Sequence, residues 1–155
     1  DSQYWIFGTI AALIFGISVL GSYVGKKIVR HANPVGSYSF VFVMMYFLQL
    51  ALAMTHRTLS FLVVYCLMYF LLGILSVIGS YLLNTVAKNE VRASLLSLSS
   101  FSLQGGGILS NLLATLVFVF GGISLFWKLS AIVGIVGILL LSKPMLQRFP
   151  RSTAQ

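Results

Sequence analysis

One stretch of the sequence carries most of the side chains that could do chemistry. It runs from Glu90 to Phe120 and is apolar enough to cross a bilayer, yet it contains many hydroxyl and amide groups. Buried groups of this kind cost free energy unless they find hydrogen-bond partners, so they are expected to face another helix or a water-filled cavity. At 3.6 residues per turn, six positions at steps of three or four form one stripe along a helix. We call this set the polar stripe: Ser97, Ser100, Gln104, Gly107, Asn111 and Thr115.

Two interpretations of the polar stripe stay open. It could line a substrate path, where Gln104 and Asn111 offer both donors and acceptors to a solute. Its serines could instead serve helix packing, because small residues let backbones approach closely. A second candidate surface for substrate contains Tyr65, Tyr69 and Ser76, for which the alternative is aromatic packing with satisfied hydroxyls.

The ionisable residues exclude several kinds of chemistry. The two acidic residues are Asp1 and Glu90, so a carboxylate proton relay cannot be placed inside an apolar run. His31 and His56 fall in or beside loops that are expected on opposite faces, which argues against a haem, and Cys66 is the single cysteine. No catalytic constellation or metal-ligand cluster can be assembled, so we expect no enzyme, cofactor or metal site.

The composition predicts an all-helical membrane protein. The chain has 155 residues, of which 59% are hydrophobic and 8% are charged, with a mean hydropathy of +1.01. A soluble domain is about a quarter charged. The net charge of +8 sits in short clusters between apolar runs, as in membrane proteins, so the expected partner is the lipid bilayer and not nucleic acid.

Five apolar runs approach or exceed the ~20 residues that a transmembrane helix needs. They cover residues 4–24, 35–54, 59–83, 93–120 and 123–142, followed by a cytoplasmic tail at 143–155. The connections are short, so consecutive spans should be antiparallel neighbours in a single membrane domain. Eight basic residues fall on one predicted side, and the other side holds Arg57 and Lys128. The larger set, which the positive-inside rule assigns to the cytoplasm, is Lys26, Lys27, Arg30, Lys88, Arg92, Lys143, Arg148 and Arg151.

This orientation puts the N-terminus outside and the C-terminus inside a multi-pass protein of the cell membrane, such as the bacterial inner membrane. The first, third and fourth runs are rich in small and polar residues, whereas the second and fifth are almost wholly apolar and are expected to face lipid. The order of polar and apolar runs repeats weakly, as in the helical triplets of many secondary transporters. A run like the third is missing before the first, so we expect the chain to be a piece of a longer protein.

Two segments resemble the major facilitator superfamily of permeases. The segment N-E-V-R-A-S-L-L-S-L-S-S-F-S-L-Q-G-G-G, from Asn89 to Gly107, is similar to the start of that family's eleventh helix. The segment G-S-Y-V-G-K-K-I-V-R, from Gly21 to Arg30, is similar to a degenerate copy of its loop motif, without the acidic residue of that motif. The resemblance implies that the five runs are helices eight to twelve. It also implies alternating-access transport of a small molecule between this part and a missing N-terminal half.

Further residues are candidates for gating or packing. Gly21 and Gly25 permit tight packing, and Gly105, Gly106 and Gly107 are expected to loosen the fourth span. The basic residues Lys26, Lys27 and Arg30 could close a cytoplasmic gate, although the role of topology determinants is favoured. Arg92 could pair with Glu90 at the interface, and a gating role for it comes only from the resemblance.

Transport is not the only function that fits these patterns. On its own, the piece is expected to be inactive, because half of the cavity would be absent. One alternative is a small standalone transporter or channel that completes its pore by oligomerising. The other is a non-transport membrane anchor or assembly subunit, whose polar faces dock another protein.

Overall fold

The computed structural model describes residues 4–87 and 90–148, and the chain in these ranges is built of helices without strands. The four helices are α1 (Tyr4–His31), α2 (Pro34–Ala53), α3 (Thr58–Val86) and α4 (Arg92–Arg148). Each is long and apolar enough to cross a membrane. The described residues therefore form an all-helical fold that is compatible with a transmembrane protein. Lys88 and Arg151, which belong to the predicted basic side, lie outside the described residues.

The connection between α1 and α2 is much shorter than predicted. The Asn33 side chain accepts hydrogen bonds from the backbone N–H groups of Val35 at 3.1 Å and Gly36 at 3.4 Å. Asn33 therefore caps α2, and Pro34 stands at the first turn, where its missing N–H costs nothing. Charged side chains do not stop a helix, so α1 continues through Arg30 to His31. The segment that resembles a loop motif is thus helical.

The predicted fourth and fifth spans lie in one helix, α4, which breaks at Gly122. This glycine has φ 67° and ψ −172°, a conformation that side chains with a Cβ avoid. A single residue without a Cβ can redirect the chain, so no longer loop is needed there. We call residues 92–121 the N-terminal arm of α4 and residues 123–148 its C-terminal arm. At 1.5 Å per residue the arms are about 45 Å and 39 Å long, so each can cross a bilayer.

The contacts between helices define their directions. The contacts between α1 and α3 advance in the same direction along both helices. Ser22 lies against Gly73, and Gly25 lies against Ile74. The two helices are therefore parallel. The C-terminal arm of α4 runs antiparallel to α2, because Ser124 bonds to Ala53 and Ser130 bonds to Gln49. Consequently one end of the bundle carries the basic end of α1 together with Arg92, and the opposite end carries Arg57 and Lys128.

The hydrophobic core lies between α2 and α3. It consists of Val35, Val41, Ile74, Leu75, Ile78 and Leu82, and Ile78 has no exposed surface. The second run was expected to be a lipid-facing helix, but α2 packs against both α3 and the C-terminal arm of α4. Only one face of it is open, where Phe40, Met44 and Phe47 are exposed. An apolar sequence therefore did not distinguish lipid contact from contact with other helices.

Candidate functional site

The small residues of α1 pack against α3. Gly21 and Gly25 are buried, and a Cβ built on Gly21 would overlap the backbone carbonyl oxygen of Phe70. In the same way, a Cβ on Gly73 would overlap the carbonyl oxygen of Ser18. We call this region the glycine contact. It brings two backbones together as in other membrane helix pairs with small residues four apart, so this face of α1 is used by protein and does not line a cavity.

The tyrosine candidates on α3 form a compact aromatic group. The hydroxyl oxygens of Tyr65 and Tyr69 lie 3.3 Å apart, within hydrogen-bond distance. The Tyr65 ring stacks on Phe61 with centroids 5.7 Å apart, and Phe61 contacts Trp127 of α4 at 6.2 Å. Both tyrosines are half-buried, whereas Ser76, two turns beyond Tyr69 on the same face, is exposed. The tyrosine hydroxyls therefore have partners in one another, and Ser76 extends this polar face along α3.

The polar stripe lies on the N-terminal arm of α4, and its polar side chains are exposed. No hydrogen bond within the described chain reaches the side chains of Ser97, Ser100, Gln104 or Asn111. Thr115 differs, because its hydroxyl donates to the carbonyl oxygen of Asn111 at 2.9 Å in its own helix. Leu109 and Leu113, on the far side of the helix, are 63% and 58% exposed. The arm thus offers one polar and one apolar face, and the described residues cover neither.

Gly107 of the polar stripe and its neighbours Gly105 and Gly106 also lack contacts with other helices. A Cβ on Gly105, Gly106 or Gly107 would have no heavy atom within 4 Å beyond its own helix. Their backbone is helical, and the non-helical residue of α4 is Gly122. The described chain therefore shows no break of the helix at these three glycines and no other helix against them, and the loosening expected from the sequence stays a prediction.

The two candidate surfaces do not form one closed pocket in the described structure. The helices α3 and α4 touch only sparsely. Their link at the basic end is Arg92, whose guanidinium donates from Nε and Nη2 to the Asn84 side-chain oxygen at 3.1 and 2.8 Å. An ion pair of Arg92 with Glu90 is absent among the described residues, and the guanidinium bonds to Asn84 instead. The N-terminal arm thus starts beside α3 and then leaves its polar face uncovered.

The basic residues Lys26, Lys27 and Arg30 are exposed on the last turns of α1. They line a depression with Tyr23 and His31. Among the described residues they form no ion pair. A gate that closes by pairing these groups with an acidic partner therefore has no such partner in the described chain.

Two polar contacts were missed by the sequence analysis. The Gln49 amide of α2 donates to the Ser130 hydroxyl of α4 at 2.5 Å, and Ser124 donates to the Ala53 carbonyl oxygen at 2.8 Å. Gln49 is a polar residue within the almost wholly apolar second run, and this contrast is the signal in the sequence. Its partner could not be inferred, because the pairing depends on how α2 and α4 are aligned.

The described candidate surfaces offer hydrogen-bonding groups, namely hydroxyls on α3 and both hydroxyls and amides on the N-terminal arm of α4. The described residues contain no group of three or more His, Cys, Asp and Glu side chains that could hold a metal ion. Compared with protein-family models, curated proteins and solved structures, the chain matches none of them.

Proposed function

We propose that the chain is part of a secondary transporter that moves a small molecule across a membrane by alternating access. In this proposal, it is the C-terminal portion of a permease of the major facilitator type, and further helices complete the cavity. The polar faces of α3 and of the N-terminal arm of α4 line the solute route. The bound solute is released by rocking of the two parts, without covalent chemistry.

One observation carries this proposal: the polar stripe is exposed along a helix that is otherwise suited to lipid. An amide that lies in hydrocarbon without a hydrogen-bond partner raises the free energy by several kcal/mol. Gln104 and Asn111 therefore need water, solute or other polar groups beside them. The leucines on the opposite side fit lipid contact. A helix with this division is expected at the border between a lipid-facing surface and a polar cavity.

Cysteine labelling in membranes tests the proposal. Cys66 is the single native cysteine, so a Cys66→Ala background removes competing thiols. Gln104→Cys and Asn111→Cys are then treated with a water-soluble, membrane-impermeant maleimide, and Leu109→Cys and Leu113→Cys serve as controls. All four positions are exposed in the chain, so the comparison isolates the polarity of their surroundings. We expect fast labelling of the first two variants and slow labelling of the controls.

The other outcomes identify the rival functions. If all four cysteines resist the reagent, the stripe is covered by another helix, and the chain is an anchor or assembly subunit. If the two controls react as fast as the stripe variants, the arm is not embedded in lipid at all. Both results would overturn the transport proposal.

A further inference from the structure

The last turns of α1 carry a concentrated positive surface. We call it the basic face, and it consists of Tyr23, Lys26, Lys27, Arg30 and His31. These side chains are exposed and border a depression of about 290 Å³. No acidic side chain of the described residues pairs with them. Positive charges in the last turn of a helix interact favourably with the helix dipole.

The basic face points away from the rest of the bundle. At 100° per residue, Tyr23, Lys27 and Arg30 lie on the side of α1 opposite Gly21 and Gly25. The two glycines are buried against α3, so the basic side chains point outward. Their surroundings are therefore set by what lies outside these four helices.

Two aromatic residues mark the depth of α1 in a bilayer. Trp5 and Tyr23 are 67% and 73% exposed and lie on the same side of the helix. They are separated by about 27 Å at 1.5 Å per residue, close to the ~30 Å thickness of a hydrocarbon core. Trp and Tyr prefer the two membrane–water interfaces. This spacing puts residues 26–31 at the level of the lipid headgroups.

Apart from Thr9, the exposed residues between the two aromatic residues on this side of α1 are apolar. Ala12 and Gly16 are exposed on this side of α1, and a Cβ on Gly16 would have nothing within 4 Å. Larger exposed side chains flank them, namely Phe15, Val19 and Leu20. A strip of small residues between larger ones, directly below a cluster of positive charges, matches the shape of a lipid with an anionic headgroup and an extended acyl chain.

We propose that the basic face binds the phosphate of an anionic phospholipid, with one acyl chain along Ala12 and Gly16. Lys26, Lys27 and Arg30 supply the charge, and Tyr23 lies at the level of the glycerol backbone. An acidic protein segment would also satisfy the charges. The apolar strip and the interfacial spacing of Trp5 and Tyr23 favour a lipid over an acidic protein segment as the bound partner. An acidic segment would not bind to apolar surface at the depth of the hydrocarbon core.

The test is lipid binding to the purified chain in detergent, followed by native mass spectrometry. The probes are dioleoyl phosphatidylglycerol and, as the uncharged-headgroup control, dioleoyl phosphatidylcholine. Each Lys or Arg near an anionic lipid contributes about fivefold in affinity. The triple variant Lys26→Gln, Lys27→Gln, Arg30→Gln should therefore bind phosphatidylglycerol on the order of a hundredfold more weakly. The matched control, Arg57→Gln with Lys128→Gln, removes charge from the opposite end and should bind as the wild type does.

Loss of charge could impair insertion, so the single variant Arg30→Gln is measured as well and should show the fivefold effect expected for one charge. Gly16→Leu tests the acyl path separately, with Gly137→Leu in α4 as control, since a Cβ at either position has no heavy atom within 4 Å. We expect weaker phosphatidylglycerol binding for Gly16→Leu only.

Four results would overturn the lipid site. The first is that the triple variant or Arg30→Gln binds phosphatidylglycerol as strongly as the wild type does. The second is that the wild type binds phosphatidylglycerol and phosphatidylcholine with equal affinity. Competition by inorganic phosphate at equal concentration, or Gly16→Leu binding as the wild type does, would also overturn it. None of these measurements involves the polar stripe, so their results are independent of the transport proposal.

Discussion

Two glycine-rich regions of this protein have opposite surroundings. In the glycine contact, Gly21 and Gly73 allow α1 and α3 to approach until backbone meets backbone, and a Cβ at either position would overlap a carbonyl oxygen. In the N-terminal arm of α4, Gly105, Gly106 and Gly107 have open space around them. The same residue type thus makes a packed interface in one helix and an uncovered face in another.

This difference separates a completed part of the molecule from an incomplete one. Small residues in membrane helices commonly serve close packing, and the α1–α3 pair uses them in that way. The N-terminal arm has the same kind of residues and an adjacent row of unpartnered amides, but no described helix lies against them. The arm therefore has the surface of an interface whose other side is solute, water or further helices.

The largest expected effect comes from breaking the packed region. Gly21→Ala places a methyl group where the Phe70 carbonyl oxygen lies, so the helices must separate. Overpacking of this kind costs about 1–3 kcal/mol, and more where backbone has to move. We expect a lower midpoint of thermal unfolding in mild detergent, measured by the fluorescence of a thiol-reactive dye at Cys66.

The matched control lies five positions away in the same helix. Gly16→Ala adds the same methyl group where no atom lies within 4 Å, so it should leave the midpoint unchanged or raise it slightly. Equal midpoints for the two variants would mean that the glycine contact does not hold α1 against α3. The glycine contact would then not be a tightly packed interface, and it would not differ from the glycines of the N-terminal arm.

A middle-sized effect is expected from the polar contact in the other arm of α4. Ser130→Ala removes the hydroxyl that accepts from Gln49 and leaves a half-buried amide without that partner. Hydrogen bonds between membrane helices contribute about 0.6 kcal/mol on average and up to about 1.7. The Gln49→Leu, Ser130→Ala double variant should cost less than the sum of the single changes. Strict additivity of the unfolding free energies would show that the bond contributes nothing.

The Ser130 variant sharpens the comparison because α4 contains both a serine that bonds to another helix and serines that do not. Ser130 in the C-terminal arm has its partner in α2, whereas Ser97 in the N-terminal arm has none among the described residues. Removing a partnered hydroxyl should destabilise the chain. Ser97→Ala should be nearly neutral in the isolated chain, since it removes no bond.

Fold class followed from the sequence because apolar runs of this length have few alternatives to helices in lipid. The C-terminal end of α1 was not predicted from the sequence. The basic residues indicate a side of the membrane, whereas Asn33 and Pro34 determine where α1 ends and α2 begins. The division of α4 at Gly122 fits the expected Gly121–Gly122 connection, but a single residue with positive φ was enough to make it.

The candidate site was less accessible to sequence analysis than the fold. Periodicity assigns Gln104 and Asn111 to one face of one helix, and this needs no knowledge of neighbours. Contacts between helices depend on their relative alignment, which is why Gln49 and Ser130 were not paired in advance. What lies against the polar stripe depends on groups beyond the described chain, so no pattern within the stripe can supply it.

The smallest expected effect tests the open half of the comparison. Gly106→Ala adds a methyl group that meets no neighbouring atom, and alanine favours a helix over glycine by about 0.5–1 kcal/mol. The isolated chain should therefore unfold at the same or a slightly higher temperature, in contrast to Gly21→Ala. If Gly106→Ala lowers the midpoint as Gly21→Ala does, another copy of the chain already packs against the arm in detergent. In that case the exposed stripe is an oligomer interface, and the Gly106→Ala variant should shift the mass measured by light scattering toward the monomer.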